Sequence, residues 1–280
     1  MGKIAWVTDS TAFIDEELAN HPDVYTVPMV IYFGEDEYLD GVNITKEQFQ
    51  KLLVESEIPP KTSQPSVGTF AELYNQLAQN YDQIVSIHLS SHLSGTVSSS
   101  QQAAKLVDIP VTTIDTKTLS YPLTAMLKTA IKLVNEGHSI EEVERKLDDM
   151  VNKSELYVLI GSLEQLHRSG RMTSVQKVLG SLLQIKPIIA IKDGKLDVAE
   201  KVRTEKKVFQ RMLELFDDAF NRGTVKELYL LYGREEEQTF SIKQKIKETY
   251  PNLKVGAYPI STTISVHAGV DTVGLAWFNE

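Results

Sequence analysis

Ile84-Val85-Ser86-Ile87-His88-Leu89-Ser90-Ser91-His92-Leu93-Ser94-Gly95-Thr96 runs from an aliphatic stretch into a hydroxyl-rich turn and then into a helical pattern. A strand, loop and helix in that order is the repeating unit of an α/β sheet. The serines can simply cap the helix that follows. They can also serve a ligand, because free N–H groups at a helix start favour a negative group, Gly95 permits close backbone approach and Ser94 adds a donor. The segment alone leaves both readings open.

Lys3 to Val7, Val24 to Tyr32 and Val111 to Asp115 are further aliphatic runs, each followed by a polar loop. With Gln83 to Leu89 they predict a parallel sheet with crossover helices. Thr45 with Gln48 and Ser139 with Glu142 have capping-box spacing and mark helix starts. Pro59, Pro60 and Pro65 exclude regular helix between them, so Lys61 to Ser66 is expected to be a loop, with Ser66 capping a helix over Phe70 to Leu77. Thr62 and Ser63 are left without a local structural task. Thr8-Asp9-Ser10-Thr11 forms a third hydroxyl-rich turn. All three lie at or beside the carboxyl ends of parallel strands, where open α/β sheets place ligand crevices.

The second half changes character. Strands are expected at Leu156 to Ile160, Ile188 to Ile191, Leu196 to Ala199, Glu227 to Tyr232, Lys254 to Tyr258 and Thr272 to Phe278, with helices over Glu205 to Phe220 and Phe240 to Thr249. Asp193-Gly194 between two strand runs is a hairpin turn signal. The reading is therefore an α/β chain of two domains, a parallel-sheet α/β domain over 1–154 and an α+β domain over 155–280, with a ligand held between them. Val175 to Ile185 has helical apolar spacing, which suits ordinary core or the wall of an acyl tunnel. Val178, Leu182, Ile185, Ile188 and Ile189 are the candidate tunnel residues, with the second domain contributing the wall.

Composition excludes several classes. The 280 residues carry a net charge of -9 and no cysteine, so thiolate metal sites, disulfides and cysteine nucleophiles are absent. The dispersed acidic excess argues against nucleic acid as a partner. Met1 runs straight into Ile4-Ala5-Trp6-Val7, too short for a signal peptide or span, so a cytoplasmic location without stable membrane insertion is expected. Neither Gly-x-x-x-x-Gly-Lys-Ser/Thr nor Gly-x-Gly-x-x-Gly occurs, which leaves no nucleotide loop. His88 and His92 are four apart but straddle a strand and a loop, so no metal is expected.

Thr8-Asp9-Ser10, Thr62-Ser63-Gln64-Pro65-Ser66, Ser90-Ser91-His92-Leu93-Ser94-Gly95-Thr96, Ser169-Gly170-Arg171 and His267-Ala268-Gly269 resemble, in this order and over nearly the whole chain, the signature of the DegV family. The resemblance implies a carrier without catalysis of its own. Such a carrier is the fatty-acid-binding subunit of a bacterial fatty acid kinase, serving phospholipid metabolism. It would bury a long-chain fatty acid, need no other cofactor, and present the acid to a separate ATP-dependent kinase subunit that makes an acyl phosphate. Matching positions imply that Thr62, Ser94, Gly95 and His267 contact the carboxylate, while Arg171, Ser63 and Ser10 lie nearby or face the kinase. Ser169 stands where the family often has glycine and Val270 where it often has proline. The residue chemistry agrees: hydroxyls, an imidazole and a guanidinium fork all donate to a carboxylate. The alternative is a stand-alone serine hydrolase acting on a lipid ester through Ser94 and His267, although Gly-x-Ser-x-Gly is absent around Ser94.

Overall fold

The computed structural model describes residues 2–171, 185–223, 225–234 and 237–280. The chain runs β1 (Ile4–Asp9), α1 (Glu16–Ala19), β2 (Val24–Val27), β3 (Val30–Phe33), β4 (Asp36–Leu39), α2 (Lys46–Glu55), β5 (Lys61–Ser63), α3 (Val67–Leu77), β6 (Gln83–His88), α4 (Thr96–Ala103), β7 (Val111–Asp115), α5 (Ser120–Asn135) and α6 (Ile140–Lys153). It continues with β8 (Ser154–Leu159), α7 (Leu163–Arg168), β9 (Lys186–Lys192), β10 (Lys195–Val202), α8 (Glu205–Asn221), β11 (Glu227–Tyr232), α9 (Glu237–Thr249), β12 (Lys254–Pro259), α10 (Thr262–Ala268) and β13 (Val273–Phe278). Two compact units result, one of Met1–Asp149 with Ser261–Thr263, the other of Met150–Ile260 with Ile264–Glu280.

The first unit is built on a parallel sheet of order β2-β1-β6-β7. Its strands are buried on both faces, which is why they read as continuous aliphatic runs. Ala5, Val7 and Ile84 pack on one face against Phe70, Tyr74 and Leu77 of α3 and Ala103 of α4, while α5 lies along β6. The capping box of Thr45 and Gln48 forms as the spacing predicts, and so does that of Ser139 and Glu142.

Two local expectations are corrected. Val24 to Tyr32 is not one strand: Pro28 separates β2, in the parallel sheet, from β3, which pairs antiparallel with β4 and β5 in a small second sheet. Proline cannot donate to a ladder, so a strand that continued through it would lose a hydrogen bond. Lys61 to Ser66 is not wholly loop, because Lys61–Ser63 pairs with β3, Thr62 opposite Ile31. The prolines rule out helix, yet the extended backbone they favour is also strand backbone.

The second unit is a mixed six-stranded sheet of order β10-β9-β8-β13-β11-β12, in which β11 and β12 are parallel and the remaining pairs antiparallel. Asp193 and Gly194 both take positive φ in the β9–β10 hairpin. On one face α8 supplies Val208, Met212, Phe216 and Ala219 to a core with Leu228, Leu230, Leu275 and Trp277. Phe216 meets Trp277 and Tyr250 edge to face, and a fully buried side chain of this size contributes about 1.5–3 kcal/mol. The chain is thus an α/β protein with an N-terminal parallel sheet and a C-terminal mixed sheet. No described helix is long and apolar enough to cross a membrane.

Candidate functional site

The deciding segment folds as its pattern predicts. β6 ends at His88, the chain turns through Ser90 to Gly95, and α4 starts at Thr96. Ser90 organises the turn: its carbonyl accepts from the amides of Leu93 at 3.0 Å and Ser94 at 3.1 Å, and its hydroxyl accepts from the amide of His92. Gly95 caps α4 without any side-chain hydrogen bond, so the first amides of the helix are left to the loop or a ligand. The Ser94 hydroxyl sits 2.8 Å from the Thr96 hydroxyl, and Thr96 in turn contacts the sulfur of Met29.

The second hydroxyl segment meets the first through Gln64. A Cβ built on Gly95 would lie 2.6 Å from Gln64 Nε2 and 2.9 Å from its Cδ, so only glycine leaves room for that carboxamide. Thr62-Ser63-Gln64 and Ser94-Gly95 are therefore neighbouring segments, both partly open to solvent around Thr62, Ser63, Ser94 and Gly95. Ser63 donates to the carbonyl of Gln64, and Ser66 caps α3. Ser10 has a structural task instead: its hydroxyl accepts from the Met29 amide at 3.0 Å and donates to Asp40 at 3.3 Å. Burial raises the pKa of Asp40, against the lowering effect of hydrogen bonds from Thr263, Ser261 and Ser10. Its carboxylate accepts from the Thr263 amide at the start of α10.

Arg171 and His267 belong to the second unit. α7 ends through Ser169 and Gly170, whose φ of 74° is the left-handed stop that glycine supplies. Arg171 follows, its guanidinium donating to the Ser169 carbonyl at 2.6 Å. His267 lies in the last turn of α10, and Gly269 beyond it takes φ 85° and packs against the Ser162 amide. Burial, and then the charge of Arg171, push the His267 pKa down to about 4. The imidazole is thus neutral through the physiological range, with one N–H to donate. Val178 and Leu182 lie outside the described residues. Ile185 directly precedes β9; Ile188 is locked into the core beneath α8, whereas Ile189, pointing to the opposite face of the sheet, is fully buried there.

An Asp–His–Ser relay does exist, but in an unexpected place. Asp9 Oδ2 is 3.0 Å from His88 Nδ1, and His88 Nε2 is 2.6 Å from Ser86 Oγ. All three are fully buried, so no ester can reach Ser86. Ser94, the hydrolase candidate, is hydrogen-bonded to Thr96 rather than to an imidazole. Sequence reasoning quoted Asp9 and Gln64 but gave them no role; neither has a local spacing signal, since their partners are 79 and 31 residues away.

Comparison with known proteins bears on what such a site holds. The family model described as uncharacterised proteins of the DegV family matches residues 3–280. A DegV domain-containing protein of Halalkalibacterium halodurans is 34% identical over the full length of both chains. Among solved structures, DegV of Bacillus subtilis, described as a fatty acid binding protein, superposes with a TM-score of 0.92 at 30% identity, covering all of both chains. A DegV family protein of Thermus thermophilus, whose structure is described for fatty acid binding, gives 0.89 at 31% identity over 99% of this chain and all of its own. Matched from Lys3 to Glu280 and along the entire length of its relatives, this chain belongs to the DegV family.

Proposed function

We propose that this chain is a carrier for a long-chain fatty acid, with the carboxylate held by Thr62, Ser94 and the backbone of Gly95 and with His267 as a further donor. The observation that carries the reading is the seating of Gln64 on Gly95, which sets two hydroxyl segments side by side in a fold whose solved relatives are described as fatty acid binders. Ser and Thr hydroxyls and a neutral imidazole can each donate to a carboxylate. The tail supplies the affinity: burying about fourteen methylenes at roughly 0.8 kcal/mol each gives a gross gain on the order of 11 kcal/mol before ordering costs. Each charge-assisted hydrogen bond adds only about 1.5–3 kcal/mol, so the head group chiefly fixes orientation.

In this reading the second unit supplies apolar surface for the chain. Ile188 is committed to the α8 core, which leaves Ile189 as the better candidate, with Ile185 and the segment holding Val178 and Leu182 beside it. Arg171 acts at or near the head group or toward a partner. The product of the carrier's work is a positioned carboxylate for a separate ATP-dependent kinase in the cytoplasm, since positioning is what phosphoryl transfer asks of an acceptor site. Denaturing extraction of the purified protein followed by mass spectrometry tests the core of the proposal. Near-stoichiometric fatty acid is expected; no recovered lipid together with no binding in a fatty-acid titration would overturn it.

A further inference from the structure

Asp9 closes β1 with a carboxylate that is wholly buried. One oxygen accepts from the Thr11 amide at 3.0 Å and the Thr11 hydroxyl at 2.5 Å. The other accepts from the Leu89 amide at 3.0 Å and faces His88 Nδ1 at 3.0 Å. Leu89 is the first residue beyond β6, and Ser90 after it carries the amides of Leu93 and Ser94 on its carbonyl. A single carboxylate therefore fixes the exit from β6, one residue before the group on which Ser94 hangs.

The same carboxylate terminates a buried chain of side-chain hydrogen bonds. From His88 Nε2 it passes to Ser86 Oγ at 2.6 Å, to the Tyr74 hydroxyl at 2.8 Å, to Ser100 Oγ at 2.7 Å and to Thr113 Oγ1 at 2.7 Å. With the His88 proton on Nδ1 toward Asp9, every hydroxyl can donate in one direction, from Thr113 toward the carboxylate. Chains of this kind, satisfied at every member, fix geometry in a low-dielectric interior. The elements it joins are telling. Tyr74 lies on α3, which the Thr62-to-Pro65 segment leads into; Ser100 lies on α4, which Ser94 and Gly95 lead into; and β6 feeds the turn between.

We propose that Asp9 is a positioning residue for carboxylate recognition, acting through Leu89 on the Ser90–Gly95 turn and through the His88-Ser86-Tyr74-Ser100 chain on the helices that carry both hydroxyl segments. It touches no ligand. This inference rests on the reading that Ser94 and Gly95 hold a carboxylate. Its signature is selective: a displaced turn weakens recognition of the head group and leaves the tail's contribution untouched.

The test compares, for each variant, the dissociation constants of a fatty acid and of the fatty alcohol with the same chain, measured on delipidated full-length protein whose fold is checked by circular dichroism. In Asp9→Asn the preference for acid over alcohol is expected to fall by about tenfold, the worth of one charge-assisted hydrogen bond, with alcohol affinity unchanged. Ser94→Ala is the reference. If Ser94→Ala leaves the preference unchanged, the clamp reading itself fails. If Ser94→Ala collapses it while folded Asp9→Asn does not, only the role of Asp9 is overturned, as it also is by equal loss of acid and alcohol binding. Should Asp9→Asn not fold, His88→Asn, which keeps the carboxylate and its bond to Leu89, replaces it; an unchanged preference there overturns the proposal.

Discussion

The carboxamide of Gln64 rests on Gly95, 31 residues further along the chain, so closely that a single methyl group on Gly95 would collide with it. Gly95 itself has φ -77°, an ordinary value for any residue. Its glycine is therefore required by the neighbour, not by the backbone.

Gly95→Ala should thus perturb the site more than the fold. The obstructing atoms are the far end of an exposed, flexible side chain that can swing away, so urea denaturation should show a loss within about 1 kcal/mol. Fatty acid affinity should fall, and the double variant Gly95→Ala with Gln64→Ala should recover part of it, because the collision is gone. No recovery in the double variant would mean that the added methyl obstructs something other than Gln64.

Much of this was legible in the sequence for a physical reason. Doubly buried parallel strands must be continuous aliphatic runs, and Gln83 to His88 and Val111 to Asp115 were found that way. Caps were found because Thr45 and Ser139 reach partners only three residues away. Contacts set by sheet order were not. Asp9 meets His88 because β1 and β6 are parallel neighbours with Val7 opposite Ser86, a register that continues to bring Asp9 beside His88. Nothing within either strand announces it. Ser10 was grouped with the ligand hydroxyls by composition, yet its partners, Met29 and Asp40, come from around a different sheet.

Tyr74→Phe tests the hydroxyl chain as a stability element. The phenol oxygen lies between Ser86 and Ser100, fully buried. Removing it leaves neighbouring hydroxyls short of a partner in a closed interior, which costs about 1–3 kcal/mol. The expected readout is a lower urea midpoint with an unchanged slope. A midpoint indistinguishable from the parent protein would show that Ser86 and Ser100 re-pair with one another or with water.

His267 gives the protein a pH dependence whose sign is fixed. Its folded pKa of about 4 lies below the ordinary 6.5 because burial, then Arg171, disfavour the cation. Between those values the unfolded chain binds a proton that the native chain refuses, so stability falls as pH falls from 6.5 toward 4, by roughly 3 kcal/mol in total. Asp40 works in the opposite sense, since its raised pKa adds stability on protonation that is lost as pH rises. Asp9 works in the same sense as His267 but at lower pH: burial would raise its pKa, and the bonds from His88, Thr11 and Leu89 more than offset that. Comparing delipidated parent and His267→Gln cancels both carboxylates, and the variant should lose less stability than the parent over this window. Parallel curves would show that His267 is not held neutral.

Arg171 separates binding from transfer. Its guanidinium is partly buried, hydrogen-bonded to the Ser169 carbonyl and close enough to His267 to depress that imidazole's pKa. Arg171→Ala removes the second of the two causes acting on His267 and leaves burial, so the His267 pKa followed by NMR should rise from about 4 yet stay below its ordinary value. If Arg171 serves a kinase or the transferring phosphoryl group, acyl phosphate formation with the partner subunit should drop much further than fatty acid affinity does, because a guanidinium fork aimed at phosphoryl oxygens acts mainly in the transition state. Equal losses would assign Arg171 to the carboxylate clamp. A shifted imidazole with both activities intact would leave it as the electrostatic neighbour of His267 alone.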